Sequence, residues 1–429
     1  MTENGEETPS SHSGGEADNT HSTPGWRDFR LLWTGSTVSQ ILGMTSPIAF
    51  PLIAADLLSA SVPQIAAITA FSYLPWLVLT LPLGVYLGKV PPRTVLLTAD
   101  LVRVVVISFV PLAYVLGVLA LWQIYVVVAL VGACTVCYEI AYQTFPPALL
   151  PREDLTRANA RLQGGRAVAY TMGPALGGLL VTVLGAPLTP IANAAGFLVS
   201  ACCVAAMRTR AAPPGQEGGG TLLRRLGEGL RFVVTRPLLR ASTLASAAGN
   251  CWFAGYEALV VVFLSREVGL PTGQVGVLVG VAGLGSLVGA AVAGRITRRL
   301  GTARALWLPI ALVSPFGLLL PATQPGAGVL LFVAGALVFC AGFAMFTVGH
   351  ATLVQIHTPP ALLSRTVAST RFFTRSMLFV GGVLGGLLGG MLGTRGALLV
   401  IMAGWMLTPL LLAFSPIRRL RDIPAYDEH

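Results

Sequence analysis

RANARLQGGRAVAYTMGPALGGLL, residues 157–180, returns 208 residues later as RTVASTRFFTRSMLFVGGVLGGLL, residues 365–388. Arg157 and Ala160 meet Arg365 and Ala368. Gly173, Leu176, Gly177, Gly178, Leu179 and Leu180 meet Gly381, Leu384, Gly385, Gly386, Leu387 and Leu388. A nearly equal shift of 210 lays the loop at Gly84…Lys89 over Gly294…Arg299. Two separate segments agreeing at almost one offset mark the chain as a duplicated unit.

The apolar runs say what that unit is. A membrane span needs roughly 20 mainly apolar residues. Such runs lie near 31–55, 65–88, 94–117, 120–143, 163–185 and 187–207, and again near 240–264, 272–294, 303–322, 327–351, 371–393 and 396–415. The expected fold is an all-α integral membrane protein with twelve transmembrane helices in two pseudo-symmetric six-helix bundles. Repeated bundles of this kind are the physical basis of alternating access, in which two halves rock about a site near the midplane.

Composition agrees. The chain is 54% hydrophobic and 11% charged, with a mean hydropathy of +0.74, whereas soluble domains carry about 25% charged residues. The 49 Gly suit close helix packing in lipid. A net charge of +10 would point to nucleic acid in a soluble protein. Here the basic residues sit in short loops, so topology accounts for them and no nucleic-acid partner is expected. Cys134, Cys137, Cys202, Cys203, Cys251 and Cys340 all fall in apolar segments and read as small packing residues. Cys134 and Cys137 form a CxxC without the surroundings of a redox or zinc motif.

Charge asymmetry orients the spans. With both termini cytoplasmic, the inside loops hold Lys89 and Arg93; Arg152, Arg157 and Arg161; Arg295, Arg298, Arg299 and Arg304; and Arg365. The outside loops hold only Arg266 and Arg395. That bias follows the positive-inside rule. The chain then divides into an acidic, Ser/Gly/Thr-rich cytoplasmic tail read as disordered (1–25), a first bundle (26–210), a cytoplasmic linker (211–239), a second bundle (240–420) and a cytoplasmic tail (421–429). The first tail lacks the apolar stretch of a cleavable signal peptide. Within the linker, 211–220 reads as flexible. Residues 221–236 read as an amphipathic surface helix with Leu222, Leu226, Leu230 and Val233 on one face.

From residue 26 to 420 the sequence resembles the major facilitator superfamily, and within it the bacterial drug and siderophore exporters of the enterobactin-exporter and macrolide-efflux type. Three passages carry the likeness. Trp26-Arg-Asp-Phe-Arg-Leu-Leu-Trp33, with Gly35 and Ser39, looks like the opening into the first span. Gly84-Val-Tyr-Leu-Gly-Lys-Val-Pro-Pro-Arg93, with Asp100 and Arg103 beyond, looks like the signature loop. Gly173-Pro-Ala-Leu-Gly-Gly178 is similar to the antiporter motif. The signature loop departs from its pattern, with Gly88 in place of the usual Asp and Arg298 at the equivalent place in the second copy. The resemblance implies gating by Gly84, Lys89, Arg93, Asp100 and Arg103, mirrored by Gly294, Arg298 and Arg299. It assigns an antiporter kink to Gly173, Pro174, Gly177 and Gly178.

Ionisable residues inside spans are functional candidates by default. Asp100, Arg103, Glu139 and Glu257 stand out. Asp100 and Arg103, three apart on a helix, would pair, with a structural or gating role. Glu139 shares a stripe with Thr135, Tyr142 and Pro146, with Tyr138 alongside; it would handle protons or a cationic substrate, or else serve as a structural carboxylate paired with an arginine. Glu139→Gln is expected to leave the fold intact and uncouple transport from the pH gradient. Glu257 lies with Asn250 and Phe253 on its face and Trp252 and Tyr256 beside them. The resemblance implies that spans 1, 4, 7 and 10 line the cavity, which would bring Glu139 and Glu257 to it from opposite halves. Phe339, Phe343, Phe346 and His350 form a stripe on span 10, either packing or a wall for a lipophilic substrate. Ser36, Gln40, Gly43 and Pro47 form a small polar stripe on span 1.

No HExxH, GxSxG or Walker lysine is present, so neither an enzyme nor an ATP-driven pump is expected, and no metal or organic cofactor. The resemblance implies proton-coupled efflux of a hydrophobic or amphipathic small molecule from a bacterial cytoplasmic (inner) membrane, by a monomer in the lipid bilayer with the proton gradient as energy source. An importer of the same fold and a transporter-shaped sensor or lipid-handling protein are the alternatives.

Overall fold

The computed structural model describes residues 24–87, 90–151, 154–209 and 222–423. The expected tails and the 211–220 linker fall almost wholly outside these residues, as do Gly88 and Lys89 of the signature loop. All secondary structure among the described residues is helical. In the first half, α1 runs Pro24–Gly43 and Ser46–Leu52 into a π-turn Ile53–Leu57, followed by α2 (Val62–Tyr86), α3 (Pro92–Val115), α4 (Leu121–Thr144), α5 (Leu155–Leu184) and α6 (Pro190–Ala205). After a linker helix, Leu222–Thr235, come α7 (Pro237–Val262 with a π-turn Phe263–Glu267), α8 (Thr272–Leu300), α9 (Thr302–Val313) and α10 (Val329–Ile356). The helix Pro360–Trp405 holds α11 and the start of α12, which ends as Leu407–Ala413. Ten helices are long and apolar enough to cross a membrane. One of the ten is the α11–α12 helix, broken at Gly393, and the shorter Pro190–Ala205 completes the twelve.

Local chemistry sets the boundaries. Proline opens α3, α6, α7 and α11, where a missing N–H costs nothing. Gly185 (φ 80°) ends α5, and its counterpart 208 residues on, Gly393 (φ 72°), breaks α11 from α12. Both take a left-handed conformation that glycine enters without a Cβ penalty.

The duplication extends to single hydrogen bonds. Each half's first helix ends in a π-turn, Ile53–Leu57 and Phe263–Glu267, at a spacing of 210. Leu58 N donates to Ile53 O and Ala60 N to Ala54 O. In the second half Val268 N donates to Phe263 O and Leu270 N to Leu264 O.

The glycines that revealed the repeat form the seams. A Cβ on Gly173 would strike Met44 and the Ile41 carbonyl of α1, and one on Gly381 would strike Ala254 and the Cys251 carbonyl of α7. Gly177 faces Thr45 and Ile48, as Gly385 faces Gly255 and Ala258. Gly178 meets Gly276 of α8 backbone to backbone, and Gly386 meets Ala66 of α2. Thus α5 and α11 each pack on the first helix of their own half and cross to the other half, the small-residue packing that lipid favours. The seams between the halves are α5 on α8 and α2 on α11.

Large apolar side chains such as Val105, Leu312, Leu330 and Met391 point outward, a surface that suits lipid and not water. Helices α5 and α11 start well before their apolar windows, at Leu155 and Pro360, so arginines at their beginnings lie on helix and not on loop. The end of the bundle bearing the α2–α3, α4–α5, α8–α9 and α10–α11 connections is called here the arginine-rich end.

The linker helix lies against the start of α11. The Gly229 backbone abuts the Arg365 carbonyl and the Ser369 hydroxyl, Glu228 pairs with Arg365, and Val233 is buried. Leu230, expected on the buried face, is 46% exposed. Close approach at Gly229 has rotated the docked face toward Gly229 and Val233.

Candidate functional site

Two polar clusters sit between the halves, joined by α11. In the first, Glu139 and Gln143 stand one turn apart on α4, and the Gln143 amide donates to Glu139 Oε1 at 2.8 Å. Arg166 of α5 forms an ion pair with Glu139, and Arg371 of α11 donates to Gln143 Oε1. Carboxylate, amide and two guanidinium groups thus run from α5 through α4 to the other half. The Arg166 guanidinium also lies 5.5 Å from the Tyr142 ring centre, and the Tyr142 hydroxyl accepts from Ser36 Oγ at 3.2 Å with Gln40 beside it.

In the second cluster, Glu257 of α7 accepts a hydrogen bond from the Tyr73 hydroxyl of α2 at 3.0 Å, a bond between the halves. Arg375, one turn beyond Arg371, acts electrostatically on both Glu257 and Tyr73. Its guanidinium lies 5.4 Å from the centre of the Trp76 ring, a cation–π contact. Phe253 of α7 stacks on Phe343 of α10 at 4.9 Å, both half-buried with Trp252, forming an apolar wall in the second half. Asn250, close by, turns its amide back to the Ser246 carbonyl at 2.8 Å. Gln143, Arg371 and Arg375 are exposed where the two halves meet.

At the end away from the arginines, the halves are clasped. Arg266, in the π-turn of α7, donates to the Ala55 carbonyl at 2.6 Å and the Ala60 carbonyl at 3.0 Å. The π-turn of α1 frees such carbonyls from ordinary helical partners. Nearby, Glu267 accepts from Thr394 and Arg395 at the start of α12.

Several expected site residues lie elsewhere. Tyr256 and Phe346 are buried in the core of the second half with Phe339 and Trp405, so they are packing residues and not a cavity wall. His350 stacks on Phe346 at 6.3 Å, and its Nδ1 is buried without a hydrogen-bond partner. Tyr138 is buried, with its hydroxyl 3.3 Å from Ser200 Oγ. Asp100 and Arg103 pair deep within the first half. The guanidinium is sandwiched between the Tyr138 and Phe197 rings at 4.4 and 4.3 Å, so the pair cross-links α3, α4 and α6 and does not bridge the halves. Arg93 caps the end of α6, donating to the Val204 and Ala205 carbonyls. Gly84 lies near the end of α2; Gly294, Arg298 and Arg299 are exposed near the end of α8. Of the antiporter-like motif, Gly173, Gly177 and Gly178 make the seams described above, with Pro174 inside α5.

Arg166, Arg371 and Arg375 were not anticipated. Arg166 and Arg375 fall inside the apolar windows 163–185 and 371–393, and Arg371 begins one. The intramembrane test that singled out Glu139 and Glu257 applies to them equally.

With this geometry in hand, comparison with known proteins places the chain. Residues 32–382 match the Major Facilitator Superfamily. The multidrug efflux pump Tap of Mycolicibacterium fortuitum is 27% identical over 240 residues, covering 53% of this chain and 58% of Tap. Macrolide efflux protein A of Streptococcus pyogenes is 24% identical over 181 residues, covering 42% and 44%. The chain thus aligns with less than two thirds of the length of these relatives. Among solved structures, the nucleoside transporter NupG superposes with a TM-score of 0.76 at 13% identity, covering 90% of this chain and 98% of NupG. A bacterial homologue of the human lysosomal transporter Spinster gives 0.70 at 13%, covering 91% and 96%. At such identities these likenesses establish the fold.

Proposed function

Since the chain belongs to the Major Facilitator Superfamily, we propose that it is a proton-coupled exporter of a hydrophobic or amphipathic small molecule. It works in a bacterial inner membrane, with its arginine-rich end toward the cytoplasm. The observation that carries the coupling is the Tyr73–Glu257 hydrogen bond between the halves, with Arg375 acting on the same carboxylate. An ionised Glu257 ties α7 to α2 by accepting from Tyr73, while Arg375 on α11 of its own half favours the charge. A proton on Glu257 removes the charge, weakens the tie between the halves and favours their rearrangement. A ligand or proton shifts a two-state equilibrium only through such a difference in interaction between states. Glu139 is less suited to this task, because exchanging its proton means breaking the Arg166 ion pair.

The half-buried faces of Phe253, Phe343 and Trp252 offer apolar area for a lipophilic body. With Arg266 clasping the opposite end, the conformation reads as open to the cytoplasm and ready to load. The efflux proteins among the relatives support export as the direction. Metabolite profiling tests it. In a deletion strain of the native cell, one compound accumulates inside and disappears from the medium, and complementation restores it. Loss of a nutrient's uptake with no retained compound contradicts export.

A further inference from the structure

The repeat makes one difference between its copies informative. Arg365, at the start of α11, is paired with Glu228 of the linker helix. Its counterpart Arg157, at the start of α5, makes no ion pair among the described residues, nor does Arg161 one turn on. Both guanidinium groups lie against one indole, with Arg157 5.5 Å and Arg161 5.1 Å from the centre of the Trp26 ring. Trp26 is itself buried, and its Nε1 donates to Asp154 at 2.9 Å, which fixes the ring. Trp26, Arg30, Arg157 and Arg161 line a half-open cavity of about 150 Å³, well above the order of 10–15 Å³ that one water needs.

We propose that this cavity binds a phosphate group, supplied by an anionic lipid headgroup or by free phosphate, which occupies in the first half the role that Glu228 plays in the second. Guanidinium groups present planar forks of donors that match phosphate oxygens in pairs. Stacking on the indole holds two such forks near one another against their mutual repulsion. The site lies at the helix ends, where lipid phosphates and interfacial tryptophans meet, and basic pockets between transmembrane helices are suited to headgroups. The cavity belongs to one bundle, between α1 and α5, so a bound phosphate would brace the first half whichever way the transporter faces. The inference requires only that the protein spans a membrane, and it is independent of the direction or coupling of transport.

The test is thermal unfolding of the full-length protein in a neutral detergent, with inorganic phosphate, phosphatidylglycerol or zwitterionic phosphatidylcholine added. Phosphatidylglycerol is expected to raise the midpoint by about 2 °C or more, and phosphatidylcholine by much less. A rise with inorganic phosphate as well identifies free phosphate as sufficient; a rise with phosphatidylglycerol alone identifies the headgroup as the source. Arg157→Gln and Arg161→Gln should each cut the rise at least by half, and Arg157→Lys should retain more of it than Arg157→Gln. The proposal is overturned if neither phosphate source raises the midpoint, if phosphatidylcholine does so equally, or if both Gln variants keep the full rise. Comparing the two lipids needs only the unmutated protein, so a variant that fails to fold does not spare the proposal.

Discussion

Ser59 has φ of 48°, whereas the residue 210 positions later is Gly269 at φ 73°. Both sit just after a π-turn, and a non-glycine residue there stores backbone strain on the order of 1–3 kcal/mol. Ser59→Gly is predicted to relieve part of that strain, offset by the greater freedom of glycine in the unfolded chain, for a net gain of up to about 1 kcal/mol. A higher thermal midpoint in detergent checks this. At the same scale, the two intramembrane glutamates separate. Glu139 is held by Arg166 and Gln143 within the first half, so Glu139→Gln is predicted to cost about 1–2 kcal/mol of stability by leaving a part-buried arginine without its counter-charge. The response to a pH gradient should survive. This departs from the expectation drawn from sequence, in which the uncoupled variant was Glu139→Gln. A stripe of polar residues on α4 shows that a carboxylate faces inward, but nothing in that stripe reveals an arginine 27 residues later on α5 closing onto it.

At the scale of the element, the helix seams were legible in the sequence because they rest on glycine, and glycine at a close crossing admits few substitutes. The pairs Gly173/Gly381, Gly177/Gly385 and Gly178/Gly386 identify both the duplication and the contacts it makes. Gly276→Leu would drive a side chain into the Gly178 backbone, which cannot retreat within a helix. We predict loss of transport with a lowered midpoint, since overpacking costs about 1–3 kcal/mol even where neighbours yield. Gly164, also in α5, has open space around its Cβ position. Gly164→Ala is therefore predicted to leave transport intact and raise stability by about 0.5–1 kcal/mol. The same variants in proteoliposomes and in thermal unfolding distinguish a seam from a mere abundance of glycine. What the apolar windows misplaced was the start of α5 and α11. A window scored on hydropathy stops at the first polar turn, while the helix continues for several turns under arginines that pack on neighbouring rings and carbonyls. Arg166, Arg371 and Arg375 lie within those windows and were legible by the same intramembrane test as the glutamates, whereas the linker helix's docked face was obscured by Gly229.

For the molecule as a whole, the two-bundle architecture followed from span count, charge bias and repeat, and each of these is a property of sequence alone. How the bundles are locked is not, since it depends on which side chains cross between them. Arg266 read as an ordinary outside-loop arginine, yet it holds two carbonyls of the opposite half. Arg266→Gln is predicted to weaken the clasp and shift the population toward opening at that end, raising cysteine-reagent labelling of a Cys placed at the buried Ala60 several-fold. Equal labelling in both backgrounds would show that the clasp does not hold that end closed. The central claim is that a proton at Glu257 governs the exchange between halves. Its most direct measurement is efflux-direction transport in proteoliposomes, with and without an imposed pH gradient, comparing the unmutated protein with Glu257→Gln. The account predicts that the variant still exchanges substrate across the membrane at equilibrium but no longer accumulates it when the gradient is imposed. Accumulation by Glu257→Gln equal to that of the unmutated protein would contradict it.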